Sequence, residues 1–499
     1  MNLKTENLTD WINNRIKPDQ IKKYLNKGKS FIDSEQIVAL LSKQKKTDPK
    51  IIEDILKKSL SIETLNLSEV AYLLSVDDQA VLERMKEVAL LVKKKVYDNR
   101  IVTFAPLYLG NFCVNDCLYC GFRSSNDKAE RKVLNLSELE GEARILAGRI
   151  GHKRLIVVYG EHPSNDINYM TDTIRTIYNT KAKTKNGFAQ IRRVNVNAPP
   201  LSIEELKQLQ KVGIGTYQVF QETYHLPTYH QVHPKDTIKG DYLWRLYSMH
   251  RAFEAGIDDV GLGALFGLYD YKYEVMSLAA HNRELEEKFG VGAHTISFPR
   301  LEPAINTPFA QNSKYRVSDD DFIKLVTVIR LAVPHTGMII TCRETPAMKK
   351  LSLNLGITQT DASTKIGIGA YNDAVPDQKS QRQQFILGDT RGLDEMIREF
   401  AGEGYITSFC TAGYRCGRTG KCIMDLLRKG EEGKLCKLNA VLTFREWLDD
   451  FASEQTRALA EPLINKEIDE IKRLMPKKTF DCFDKYYKRV SQGERDLYF

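Results

Sequence analysis

The chain has 499 residues, 42% of them hydrophobic and 28% charged, with a formal net charge of +8. That length exceeds one small domain and suits a large barrel with appendages. No apolar run reaches the ~18 residues of a membrane span, Met1–Asp10 is polar and acidic rather than signal-like, and lysine runs such as Lys93–Lys95 and Lys477–Lys478 read as solvated helix faces. No membrane and no nucleic-acid partner is therefore expected, and a cytoplasmic location is.

Residues 1–100 read as a helical extension. Val81, Met85, Val88 and Val92 recur at steps of four, three and four, which is one face of a helix. From about residue 101 short β-rich runs alternate with helical stretches. Predicted strands are Val102–Leu109, Arg154–Tyr159, Arg193–Asn197, Thr216–Gln221, Asp259–Leu265, His294–Phe298, Met338–Thr341 and Lys365–Ile368. Helical patterns fall at Leu136–Ile150, Ile203–Val212 and Asp319–Leu331. Eight strand–helix alternations predict an α/β fold, a (β/α)8 TIM barrel over 101–387, followed by a mainly helical C-terminal region over 388–499.

Chemistry in such a barrel gathers at the C-terminal ends of the strands. There the sequence places a triple-cysteine loop after the first strand, Gly160-Glu161 after the second, Asn197 at the third and Gln221-Glu222 at the fourth. Cys113-x3-Cys117-x2-Cys120 is the strongest motif. A closed zinc site wants four protein ligands, whereas three thiolates on a [4Fe–4S] cluster leave one iron open. The chain has nine cysteines and no signal peptide, so clustered thiols point to metal rather than to disulfides. Cys342 and Cys482 stand alone and read as buried small apolar residues.

The stretch YLGNFCVNDCLYCGFR resembles the aromatic amino-acid lyases of the radical-SAM superfamily, which include the tyrosine lyases of [FeFe]-hydrogenase maturation and the 2-iminoacetate synthases of thiamine biosynthesis. The likeness continues through IRRVNVNA, FQETYH, GVGAHTISFPRLEPA and LAVPHTGMIITCRE to GYITSFCTAGYRCGRTGKC and CKLNAVLTF, covering about residues 70 to 450. The last two blocks favour the hydrogenase-maturase branch. The resemblance implies a full TIM barrel and S-adenosyl-L-methionine (SAM) chelated to the open iron. It implies reductive cleavage of SAM to a 5′-deoxyadenosyl radical, and Cα–Cβ scission of L-tyrosine to p-cresol and dehydroglycine. An onward conversion to carbon monoxide and cyanide belongs to the same branch. The implied partners are a one-electron donor such as ferredoxin or flavodoxin and other hydrogenase maturases. Competing readings are a paralogue that stops at the lyase step or uses another amino acid, and a non-catalytic iron–sulfur carrier.

By the same resemblance Tyr119 packs near the nucleotide, Glu161 accepts from the SAM amino group, and Asn197 and Glu222 contact ribose or carboxylate. Tyr108, Thr341 and Arg300 are implied near the substrate, Arg300 as a carboxylate clamp, and His281 on the phenol side. Glu302 stands where some relatives carry arginine. Hydrogenase maturases carry Cys-x2-Cys-x22-Cys for a second iron–sulfur cluster; here Cys410 and Cys436 match and Gly413 stands at the middle position. Either Cys416 or Cys422 replaces the missing ligand, both within reach if Arg415–Lys429 is helical, or the site is altered.

Overall fold

The computed structural model describes residues 5–43, 48–372, 380–429 and 432–499. Eight parallel strands close on themselves: β1 Arg100–Gly110, β2 Arg154–Tyr159, β3 Arg193–Asn197, β4 Tyr217–Gln218, β5 Val260–Gly263, β6 Thr295–Ser297, β7 Gly337–Ile340 and β8 Gln359–Asp361. Each pairs with its neighbour in chain order, and β8 returns to β1 through Val102↔Gln359. The fold is thus a (β/α)8 barrel. β1 is nearly all buried because a parallel strand is covered on both faces. A ninth strand, β9 Ile406–Ser408, pairs with the first residues of β1 outside the closed ring.

Local sequence sets the helix starts. Asn135 with Glu138 and Ser202 with Glu205 form capping boxes that open Leu136–Ile145 and Ile203–Val212, each satisfying orphan backbone donors at both ends of the box. A π-helical turn, Leu146–Ile150, completes the first of these. The helix Gln79–Tyr97 turns Met85, Val88 and Val92 inward and packs on Asp319–Ala332. Among the described residues no helix is long and apolar enough to cross a membrane.

Four expectations need correction. The eighth strand is Gln359–Asp361, not Lys365–Ile368; its polar residues are buried because Asp361 accepts from the Cys342 amide and the Lys349 ammonium, both at 3.1 Å. Lys93 is not on a solvated face: it is buried, donates to the Leu353 carbonyl at 3.2 Å and lies 3.8 Å from the Tyr405 ring centroid. Cys482 is exposed rather than buried. Arg415–Lys429 is broken into Ala412–Arg415 and Gly420–Arg428, with Gly417 at φ +69 between them.

The helix Glu432–Phe451 is tied to the start of the barrel strands by one buried carboxylate. Glu446 accepts from Lys153 at 2.7 Å and from Arg192 at 3.1 Å. Burial opposes its charge, yet the two cations hold its carboxyl far below the usual range. Burial pushes the Lys153 ammonium down, whereas Arg192 is held charged by Glu446 and Asp496 against burial, so Arg192 is the dependable partner. Glu446→Ala strips buried Lys153 of its paired carboxylate, leaves Arg192 with Asp496 alone and is expected to cost about 3–5 kcal/mol, read from a urea melt. With a depressed folded pKa, Glu446's contribution is complete at neutral pH and declines only once pH falls below the unfolded carboxylate value of about 4.3. A wild-type stability curve that fell instead between pH 8 and 6 would have another origin.

Candidate active site

β1 carries the chain to the C-terminal mouth of the barrel, and the loop beyond it folds back on itself. Asn111, fully buried, donates to the Glu130 carbonyl and accepts from the Lys132 amide, both at 2.7 Å. This fixes the loop that carries Cys113, Cys117 and Cys120, and all three line one cavity. The loop lies tight against β2: a Cβ on Gly160 would sit 2.2 Å from the Phe112 carbonyl oxygen. Asn115 knits the loop to its neighbours. Its side chain donates to Glu161 Oε2 at 2.6 Å and to Cys113 Sγ at 3.7 Å, and accepts from the Lys239 amide at 2.8 Å. The Phe122 amide donates to Cys120 Sγ at 3.4 Å, and Gln384 donates to the same sulfur at 3.6 Å.

Burial raises all three thiols, Cys117 to about 11. They become thiolates only where a cation repays the desolvation. Among the described residues no three His, Cys, Asp or Glu side chains converge on a single metal ion. A cubane does not need such convergence, because each thiolate holds a different iron. Three soft sulfurs in one cavity, with amide donors aimed at two of them, fit a [4Fe–4S] cluster.

Beside the thiols stands Glu161, buried to 4% exposure. Oε2 is taken by Asn115, while Oε1 is buried without a hydrogen-bond partner. Burial raises its carboxyl, opposed first by Arg15 and then by Asn115. An orphaned buried carboxylate oxygen in a cavity calls for a cationic donor, and the SAM ammonium fits it. Glu222 is different: it is already engaged by Lys239 at 2.8 Å and Arg245 at 3.2 Å, which keep it ionised against burial. Its backbone sits at φ 70, unusual for a glutamate. Tyr119 is pinned by a 2.8 Å hydrogen bond between its hydroxyl and His233 Nε2. Asn197 closes β3, and Tyr119, Asn197 and Glu222 all line the cavity.

Tyr108 and Thr341 line the same cavity. The Tyr108 hydroxyl donates to Gln384 Oε1 at 3.0 Å, and Thr341 Oγ1 is buried without a partner. Arg300 and His281 are not brought to it. Arg300 donates to Glu344 at 3.0 Å and to Asp319 at 2.7 Å, so its fork is already filled. His281 lies on the helix Tyr271–Phe289, bonded to the Tyr224 hydroxyl at 2.9 Å and packed 4.9 Å from Phe31. The residue that sequence reading missed is Arg343, two positions beyond Thr341. It lines the cavity and stacks 3.5 Å from the Phe385 centroid, with no ion pair among the described residues. Its place after the seventh strand was the available signal.

The C-terminal thiols lie at the other end of the barrel. β9 is level with Arg100–Val102, roughly 25 Å from Gly110 at the ~3.3 Å rise of a strand. Cys410, half-buried at φ 46, follows β9. Cys410 and Cys436 both act on Arg100: burial opposes its charge and the two sulfurs favour it. Cys416 is exposed and donates to the Phe499 carbonyl at 3.2 Å, and Cys422 is exposed. A Cβ on Gly413 would meet its nearest atom, the Arg418 carbonyl oxygen, at 3.7 Å, an ordinary contact.

Comparison with known proteins agrees with this geometry. The Radical SAM superfamily matches residues 107–280, and the Biotin and Thiamin Synthesis associated domain matches residues 297–406. A crystal structure of HydG, a maturase of the [FeFe]-hydrogenase, is 46% identical with a TM-score of 0.88, covering 94% of this chain and all of that one. HydG from Carboxydothermus hydrogenoformans is 33% identical with a TM-score of 0.74, covering 95% and 99%. The 2-iminoacetate synthase of Salmonella typhimurium is 29% identical over 350 residues, 70% of this chain and 88% of its own.

The tight seam at Gly160 has a measurable consequence. Gly160→Ala forces the cysteine loop away from β2 and is expected to cost about 1–3 kcal/mol by overpacking, with reconstituted iron falling alongside the melting temperature. Unchanged stability and iron content would show that the seam yields freely.

Proposed function

Since the chain belongs to the HydG family of radical-SAM [FeFe]-hydrogenase maturases, we propose that it is a lyase that breaks the Cα–Cβ bond of L-tyrosine, releasing p-cresol and dehydroglycine for hydrogenase cofactor assembly. The observation that carries this reading is one cavity holding three cluster-type thiols, Glu161 Oε1 without a hydrogen-bond partner and Arg343 without an ion pair among the described residues. A reduced cluster with SAM, held by Cys113, Cys117, Cys120 and Glu161, would supply 5′-deoxyadenosyl radical chemistry for hydrogen-atom abstraction at the substrate amine. Electrons come from a one-electron donor, for which ferredoxin or flavodoxin is suited.

The chain's own residues bind, orient and shield. Cys113, Cys117 and Cys120 hold three irons and leave the fourth for SAM. Glu161 Oε1 accepts from the SAM ammonium while Asn115 keeps the other oxygen in place. Asn197 faces the ribose or carboxylate, and Tyr119 walls the nucleotide. Glu222 acts by fixing Lys239 and Arg245 at the cavity wall. Arg343, not Arg300, is the substrate carboxylate clamp, because Arg300 is spent on Glu344 and Asp319. Thr341 Oγ1 offers the substrate its unused hydrogen-bonding capacity, and Tyr108, held by Gln384, borders the same space. Such fixed placement is where a barrel contributes most to radical chemistry.

Anaerobic protein with dithionite, SAM and tyrosine is expected to form p-cresol and 5′-deoxyadenosine. Cys120→Ala is expected to lose the brown chromophore and both products. Arg343→Ala is expected to raise the KM for tyrosine by roughly tenfold or more, the ~1.4 kcal/mol or greater of a charge-assisted pair, with Arg343→Lys recovering part of it. Deoxyadenosine without p-cresol would defeat tyrosine as the substrate. A carrier function would give neither product.

Gly413 favours a second reading of the fragment's fate, in which Cys410 and Cys436 hold a variant cluster. Iron and sulfide are then expected to exceed one [4Fe–4S] cluster per chain, to fall in Cys436→Ala and to rise in Gly413→Cys, where a side chain has room. Iron unchanged in Cys436→Ala would remove the second cluster, and the enzyme would stop at the lyase step.

A further inference from the structure

Outside the barrel, residues 11–24 form an arm that crosses the loops following β2 and β3. Its anchors are polar and specific. Gln20 donates to Glu204 at 2.9 Å and accepts from the Ile203 amide at 3.0 Å. Tyr24 and Lys23 both donate to Glu254, at 2.6 Å and 2.5 Å. Ahead of these anchors Arg15 is driven inward, its side chain 10% exposed and its guanidinium 5.3 Å from the Trp11 ring centroid.

Arg15 spends its fork on two segments at once. Nη1 donates to Glu205 at 2.5 Å and Nη2 to the Pro200 carbonyl at 3.1 Å. Both acceptors belong to the segment after β3, contiguous with Asn197, Ala198 and Pro199 of the cavity wall. Nε faces the loop after β2, 3.8 Å from Glu161 Oε1. Neither Nε nor Oε1 has a hydrogen-bond partner, although both are buried. A planar guanidinium is suited to this kind of bridging, since its donors are fixed relative to one another. Glu205 takes up part of its charge, so at 3.8 Å Arg15 gives Glu161 placement together with partial charge compensation.

We propose that Arg15 is a positioning residue for the cofactor: it staples the β2 loop to the β3 loop, so that docking of the arm and occupancy of the SAM pocket support each other. This rests on the assignment of Glu161 to SAM made above. With Asn115 holding Oε2 and Arg15 limiting rotation from the other side, Oε1 is kept in the cavity wall with its hydrogen-bonding capacity unspent. Release of the arm frees Pro200 and Glu161 together and loosens two segments of the pocket wall. By thermodynamic linkage, SAM stabilises the docked arm by the same factor by which the arm strengthens SAM binding.

The test uses the anaerobically reconstituted full chain with SAM as the probe. SAM affinity is measured by equilibrium dialysis and by the change SAM makes in the EPR signal of the reduced cluster. Arm release is followed by chymotryptic cleavage at Trp11 and Tyr24. In wild type, SAM is expected to slow that cleavage several-fold. Arg15→Ala is expected to weaken SAM binding roughly tenfold, raise the KM for SAM more than it lowers kcat, and abolish the protection by SAM. Arg15→Lys, which keeps the charge but not the fork, is expected to recover only part. SAM affinity and cleavage protection in Arg15→Ala equal to wild type would overturn the proposal. So would loss of iron and melting temperature in both Arg15→Ala and Arg15→Gln, which would make the contact a general structural one. Absence of any SAM effect on the wild-type EPR signal would instead remove the assignment of Glu161.

Discussion

The three loop thiols share one buried mouth with the carboxylates of Glu161 and Glu222, and the barrel is organised around balancing them. An uncompensated buried ion costs several kcal/mol. Glu222 is compensated within the chain by Lys239 and Arg245, and that pairing holds a strained backbone at φ 70. Glu161 is compensated only in part, through Asn115 and the more distant Arg15. At the thiols burial outweighs what compensation there is, Lys239 at Cys117 and Cys120 and Arg245 at Cys117, and pushes all three up. On the proposed function, iron and the ammonium of SAM would bring the missing positive charge. The mouth is therefore built for its cofactors electrostatically, not only by shape. The long β1, paired to β2, β8 and β9, is what delivers the cysteine loop to this position.

How far the sequence shows this depends on how local each feature is. β2 and β3 match their predicted bounds residue for residue, because the apolar run of β2 and the strict alternation Arg-Val-Asn-Val-Asn of β3 are both local signals. The helix Ile203–Val212 matches as well, because its capping box and Gly213 are local too. β8 does not, since Gln359-Thr360-Asp361 is polar and belongs in a strand only because Lys349 and the Cys342 amide meet Asp361 there. Lys93 reads as solvated for the same reason in reverse: the carbonyl and ring that receive it come from residues 353 and 405.

The active-site residues divide along the same line. Motif spacing marks Cys113, Cys117 and Cys120, and strand-end position marks Glu161, Asn197 and Thr341, and these come together in one cavity. Choosing between Arg300 and Arg343 needs knowledge of who already holds each guanidinium. Glu344, adjacent to Arg343 in sequence, reaches Arg300 instead. Adjacency thus misleads, and only tertiary pairing shows which cation is left for a ligand. Arg15 is further still from any motif, and its meaning comes wholly from the two loops it touches.

The far end of the barrel follows a different electrostatic logic. At the mouth Glu222 takes Lys239 and Arg245, whereas near Cys410 and Cys436 stand Arg100 and Arg154, with Asp98 and Asp259 beside them. Burial opposes the charge on Arg100 and Arg154, and Cys436 and Cys410 favour it at Arg100, as Tyr414 and Cys410 do at Arg154. Arg154 keeps Nε, Nη1 and Nη2 buried without hydrogen-bond partners, which is costly unless anionic or polar groups occupy the neighbouring space. Arg193 stacks 3.3 Å from the Tyr414 ring centroid beside them. Replacing the middle thiol by Gly413 removes a ligand but leaves this positive lining in place, and leaves open room at the glycine itself. A lining with this charge still suits thiolates. The substitution therefore changes the number of sulfur ligands without converting the site into apolar packing.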